Sequence, residues 1–164
     1  MILRNLVAAC GAALLAQLSV SSSVFAADAP AHWVAAWATA LQPIPQQANL
    51  PALYRAPDVA GRTVRQIVYP TLSGKSVRVH LSNEYGKAPL AIDDLRVARS
   101  AGGAGVLGGG DARATFGGKN SISIPPGEEM DSDPVAIDLV AGAPYAISAY
   151  LGPEQRIVAW HRVS

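Results

Sequence analysis

The chain has 164 residues, half of them hydrophobic and 15% charged, with 13 Lys and Arg against 12 Asp and Glu for a formal net charge of +1. A balance so close to zero, with no basic cluster, argues against nucleic acid or an anionic membrane surface as partner. The single cysteine, Cys10, excludes a disulfide framework within the chain.

Arg4 precedes an apolar run from Leu6 to Val20, a small-residue stretch, and Val24-Phe25-Ala26 ahead of Ala27. This is the pattern of a secretory signal peptide with a small-x-small cleavage site. About 15 apolar residues fall short of the roughly 20 that span a bilayer. Residues 1–26 are therefore assigned to a cleaved signal peptide, the protein to the periplasm or the medium, and no membrane anchor is expected after cleavage. Val7-Ala8-Ala9-Cys10 looks superficially like a lipoprotein box. Only six residues precede it and the apolar run continues past it, so Cys10 reads as part of the signal helix. Removing residues 1–26 removes one cation, Arg4, and leaves acids and bases in balance. Residues 27–164 must then hold together by burial alone, which a chain of ~150 residues achieves by removing roughly 68–70% of its unfolded surface from water.

Trp33, Ala35 and Trp37 fall on one face of an expected strand from about His32 to Thr39. Aromatics at this spacing suit a sugar-stacking platform, but large rings contribute most when buried, so core anchors are the favoured reading. Gln42 to Gly61 carries Pro43, Pro45, Pro51 and Pro57, which remove backbone donors and disfavour helix, and reads as a long ordered surface loop.

From Thr63 to Gly86 the sequence reads as two strands, a turn and a polar corner. In the second strand Val77, Val79 and Leu81 share one face while Ser76, Arg78, His80 and Ser82 share the other, a period-two alternation that pins its register. Ser73-Gly74 is expected to supply a tight hairpin turn with positive φ. Thr63 to Tyr69 is β-branched without clean alternation and is expected to be a central strand. Asn83-Glu84-Tyr85-Gly86 reads as a turn, and Leu90 to Arg99 as a strand with Ile92, Leu95 and Val97 in the core and a bulge near Asp93-Asp94. Gly103, Gly105 and Gly108 spell G-x-G-x-x-G, yet Gly109-Gly110-Asp111 follows where a phosphate-binding helix would have to begin. A flexible loop is expected there, and no cofactor.

Short strands are expected at Ala114–Phe116, Ser121–Ile124, Val135–Leu139, Tyr145–Leu151 and Ile157–Val163, punctuated by Pro125-Pro126-Gly127, Gly142-Ala143-Pro144 and Gly152-Pro153. Many short strands between turn signals predict an all-β domain of β-sandwich or jelly-roll type.

Two stretches, VRQIVYPTLSGKSVRVHLSNEYGKAPL and FGGKNSISIPPGEEMDSDPV, resemble the N-terminal β-domain of secreted SGNH/GDSL-type hydrolases, in the esterase branch related to xylan-degrading acetyl esterases. The likeness runs from about Trp33 to the end of the chain. It implies an accessory domain that packs against, or shapes the cleft of, a catalytic domain further along the same polypeptide, acting on acylated carbohydrate or similar esters. It also implies that the Trp160-His161 pair is followed by a connector and a Gly-Asp-Ser block beyond Ser164. The resemblance transfers no catalytic residue, because the family's Gly-Asp-Ser and Asp-x-x-His blocks are not in this sequence.

A triad needs a nucleophile, a base and an oxyanion hole. Gly109-Gly110-Asp111-Ala112 lacks the serine. Gly74-Lys75-Ser76-Val77-Arg78 departs from G-x-S-x-G at its last position. A triad of His80 or His161 with a serine distant in sequence stays open, while His80, on the wet face of a strand, reads as a solvated side chain. Glu128, Glu129, Asp131, Asp133 and Asp138 offer oxygens suited to calcium, but without EF-hand spacing they read as a hydrated acidic turn. Arg156 and the Asn83-Glu84-Tyr85 corner are candidates for a partner surface. The alternative function is a free-standing carbohydrate-binding module using Trp33, Trp37 or Trp160. The intact mass of the exported protein should place the mature N-terminus at Ala27 or an adjacent residue, and a mass retaining Met1 to Ala26 would remove the export assignment.

Overall fold

The computed structural model describes residues 32–45, 47, 49–109 and 111–161. The expected signal peptide 1–26 with Cys10, its boundary at Ala27, and the end of the expected strand at Val163 lie outside the described residues. Two compact units divide the chain between Trp33 and Val34. Of the first, only His32 and Trp33 are described; they are exposed and outside any strand.

The second unit carries strands β1 (Gln42–Pro43), β2 (Thr63–Val68), β3 (Gly74–Val77), β4 (His80–Ser82), β5 (Leu90–Gly102), β6 (Gly105–Val106), β7 (Ala112–Ala114), β8 (Ile122–Ile124), β9 (Glu129–Asp131), β10 (Val135–Leu139), β11 (Tyr145–Leu151) and β12 (Ala159–Trp160). Among the described residues there is no α-helix, only a 3-10 turn at Ala52–Tyr54. The protein is all-β and sandwich-like.

One layer is a six-stranded sheet in the order β2-β11-β5, with β8, β7 and β6 strung along the far edge of the long β5. The other layer is an antiparallel ribbon: β3 pairs with β10 and β4 with β9. Between those two pairings Ser132 bridges the chains, its amide donating to Val79 O and its hydroxyl accepting from Val79 N, both at 3.0 Å. A small third ribbon pairs β1 with β12.

The core lies between the layers. Leu95 and Val97 of β5 are fully buried, and Val59, Ile92, Ala114, Phe116, Val135 and Leu151 are buried in one cluster with Leu95. Val77, Val79 and Leu81 pack together against that cluster from the ribbon, as their alternation requires. Each fully buried aliphatic contributes about 1.5–3 kcal/mol. The bulge near Asp93 is present: Leu151 pairs with Ile92 and Tyr150 with Asp94, so Asp93 has no opposite number on β11.

Three expectations are corrected. The stretch 63–82 is not a hairpin: β2 pairs with β11 while β3 pairs with β10, so the turn crosses between layers, and Gly74 opens β3 without a positive φ. β2 is an edge strand of its sheet, not a central one. His32 to Thr39 forms no strand, and Trp33 and Trp37 are 42% and 41% exposed, not core anchors. Alternation specifies which side of a strand is dry, but the strand partner depends on residues far away in sequence. The glycine loop also has more order than expected, because Gly102 at φ 94° and Gly103 at φ 52° turn β5 back onto β6.

Four connections cross between the layers, and two of them lie side by side: residues 69–73 between β2 and β3 and residues 140–144 between β10 and β11. They are tied to each other: Gly142 N donates to Pro70 O at 2.7 Å and Ala141 N to Ser73 Oγ at 3.0 Å. Tyr145, 1% exposed, closes the second crossing, its hydroxyl donating to Asp138 O at 2.7 Å and accepting from Val140 N at 2.9 Å. Its ring lies 5.5 Å from the Arg99 guanidinium carbon. Tyr145→Phe should cost about 1–3 kcal/mol by removing two part-buried hydrogen bonds, and Val79→Asp about 2–4 kcal/mol by pressing a carboxylate against the core. Thermal unfolding measures both, and an unchanged midpoint in Val79→Asp would contradict the register.

Candidate functional site

The polar corner after β4 is built on Asn83, which is buried. A turn closes on it through Gly86 N to Asn83 O at 2.9 Å. Its side-chain amide donates to Ala88 O, Ile124 O and Pro125 O at 3.0, 2.9 and 3.1 Å. Its backbone also pairs with Glu128 O and Gly127 N. Gly86 is required here by space, since a Cβ would sit 1.9 Å from Asn83 Oδ1. Asn83 is thus consumed in joining the corner to the β8–β9 turn, and what remains outward is Glu84 and Tyr85.

Those two side chains and Arg156 meet at one shallow cleft of about 90 Å³, floored by Leu41, Leu90 and Ile157. The two partner-surface candidates, 83–85 and 156, are therefore brought together, although 70 residues separate them in the sequence. Ligand pockets for small molecules run to roughly 300–1,000 Å³, so the cleft is a surface notch and no enclosed substrate site. Among the described residues Arg156 has no carboxylate partner.

The other candidates are spread over the molecule. Trp33 and Trp37 are exposed, while Trp160 is half-buried on β12 opposite Gln42. His161 is exposed, with Nδ1 3.3 Å from Ala40 O. Ser76 donates its hydroxyl to Val135 O at 3.1 Å. The acidic residues expected in one hydrated turn are divided among separate partners. Asp138 pairs with Lys75 at 2.8 Å. Asp133 accepts from the Thr115 hydroxyl at 2.7 Å and from the amides of Gly117 and Gly118 at 3.0 and 2.8 Å. The Gly118 amide leads in holding its carboxyl below the ordinary value, with Thr115 and Gly117 adding to it. Glu129 and Asp131 stand on β9, a strand the sequence reading missed because it is only three residues long and exposed throughout, with no buried side chain to mark it. Among the described residues no three His, Cys, Asp or Glu side chains are grouped to hold a metal ion.

Register explains the surroundings of His80. β4 pairs with β9 so that His80 faces Asp131 and Ser82 faces Glu129. His80 Nδ1 lies 2.7 Å from Asp131 Oδ1 and Nε2 lies 3.2 Å from Glu129 Oε2. The hydrogen bond to Asp131 raises the imidazole pKa above its ordinary 6.5, with a further contribution from Glu129 that partial burial opposes. With both ring nitrogens facing carboxylates, His80 is clamped across the strands and holds no free nitrogen for a serine.

Compared with known protein families and with curated proteins, the chain matches none.

A histidine whose folded pKa is raised stabilises the fold fully below 6.5, and that contribution disappears as pH rises through the folded value. Solvent screening keeps the effect to about 1 kcal/mol or less. The melting temperature of His80→Gln should therefore lie below that of the unmodified protein at pH 5.5 and converge with it at pH 9. A constant gap across that range would show that the carboxylate pair does not hold a proton on His80.

Proposed function

We propose that this β-sandwich is the non-catalytic accessory domain of a secreted SGNH/GDSL-type ester hydrolase, lying against a catalytic domain of the same polypeptide. The observation that carries this reading is the end of the sandwich where the two crossings meet. Tyr69, Leu72 and Val140 on those crossings, and Trp37 on the preceding segment, are all exposed large hydrophobics. The segments bearing them are held to one another: Thr71 donates to Ala36 O through both its amide and its hydroxyl, at 2.7 and 2.9 Å, and Gly142 donates to Pro70 O. Exposed apolar residues gathered on one end are the usual mark of a protein–protein surface. The resemblance over residues 64–90 and 116–135 names the partner.

Residues 27–164 are then expected to leave p-nitrophenyl acetate unhydrolysed relative to a heat-denatured control. The reading frame past Ser164 is expected to encode a Gly-Asp-Ser block within roughly one further small domain, ~100 residues. In that longer protein Leu72→Ser should lower the melting temperature of the catalytic domain. A stop codon directly after Ser164, or turnover by residues 27–164 that one serine and one histidine substitution abolish, would overturn the reading.

The exposure of Trp33 and Trp37 favours a second reading, a carbohydrate-binding module. Quenching or a blue shift of tryptophan fluorescence on titration with neutral xylo-oligosaccharides, lost in Trp37→Ala, supports it, and an unchanged spectrum removes it.

A further inference from the structure

The outward face of the six-stranded sheet carries a polar array used by neither reading above. Leu95 and Val97 of β5 are buried in the core, so Asp94 and Arg96, at the alternate positions, point away from it. Register extends this pattern across the strands. Arg65 of β2, Ser148 of β11, Arg96 of β5 and Arg113 of β7 stand opposite one another in a single row. Thr63, Tyr150 and Asp94 form the neighbouring row.

Arg96 and Arg113 are directly opposed, an arrangement that like charges disfavour. Asp94 lies between them. Arg96 Nε donates to Asp94 Oδ2 at 2.6 Å and its NH1 to Asp111 Oδ2 at 3.1 Å. Arg113 Nε approaches Asp94 Oδ1 to 2.9 Å off the hydrogen-bonding direction, leaving that oxygen without a directed donor. Arg65 is tethered too, Nε to Ser148 Oγ at 2.8 Å and NH1 to the Ala104 carbonyl.

The array is thus held in place by its own contacts, with three guanidiniums against two carboxylates. A guanidinium has five N–H donors. Arg96 spends donors on two carboxylates and Arg113 meets one, so donors of both remain for a ligand. Beside them Tyr150 is 39% exposed, and its hydroxyl has no hydrogen-bond partner among the described residues.

We propose that this face binds a carboxylate-bearing sugar of the uronic-acid type. The planar fork of a guanidinium matches a carboxylate in two parallel hydrogen bonds, and Arg96 and Arg113 supply it. The Tyr150 ring takes the C–H face of the pyranose, while its hydroxyl meets a ring hydroxyl. Neighbouring strands lie about 4.8 Å apart, which places Tyr150, Asp94 and Arg96 within the span of one sugar ring. A single excess positive charge with carboxylates interleaved suits one carboxylate and disfavours a phosphate dianion. This site does not involve the tryptophans and is independent of the docking end.

The test is affinity gel electrophoresis of the full chain through polygalacturonate, with neutral xylan and polyglutamate as comparison matrices. Retardation is expected in polygalacturonate alone. Arg113→Ala and Tyr150→Ala should each weaken it by about tenfold or more, Tyr150→Phe less, and Lys75→Ala, which removes a cation from the other layer, not at all. Circular dichroism establishes that each variant is folded, with Arg113→Gln as the substitute if Arg113→Ala is not. No retardation at low salt, equal retardation by polyglutamate, or retardation that survives loss of Arg113 and Tyr150 would each overturn the assignment.

Discussion

The sandwich depends on the knot of hydrogen bonds where its chain changes layer. An antiparallel sheet whose strands were joined only by hairpins would remain one sheet. Here residues 69–73 carry the chain from the six-stranded sheet to the ribbon and residues 140–144 carry it back, and backbone at such a crossing leaves its ladder. Its amides and carbonyls must be met elsewhere or bear the cost of desolvation. Gly142 N meets Pro70 O, Ala141 N meets Ser73 Oγ, and the Tyr145 hydroxyl meets Asp138 O and Val140 N. Once the polar groups are spent in this way, side chains such as Tyr69, Leu72 and Val140 are left outward. The exposed apolar end is thus a consequence of how the layers are joined.

At the other end Asn83 does the corresponding task with a side chain. One amide group reaches three carbonyls on two segments, fixing the corner after β4 against the β8–β9 turn. The same economy runs through the rest of the polar inventory. Ser132 joins the two halves of the ribbon, Asp133 holds the Gly117-Gly118 turn, and His80 is shared by two carboxylates. Residue types that a motif search scores as nucleophiles, bases or metal ligands are here engaged in architecture, which is why the functional reading turns to surfaces.

Two such surfaces differ in chemistry. The crossing end is apolar and suits a protein partner, while the outward face of the six-stranded sheet is a rigid lattice of guanidinium, carboxylate and phenol groups that suits a polar, singly charged ligand. They sit on different parts of the sandwich, so occupancy of one leaves the other's residues in place.

By itself the sequence determined the all-β class, most strand positions from β5 onward, and the dry side of the β3–β4 stretch. Those features rest on local alternation and on turn residues, which act over a few positions. Ile92, Leu95 and Val97 were legible as core for the same reason, as was the bulge at Asp93. Tertiary structure alone decided which strands pair. It placed β2 at an edge and β3 in the opposite layer, although only five residues separate them. It also turned Trp37 outward, because no strand forms there to carry the ring into the core. The clamp on His80, the cleft joining Tyr85 to Arg156 and the row from Arg65 to Arg113 were likewise invisible in one dimension. Each is a matter of register between distant segments, and register is set by the packing of the whole core.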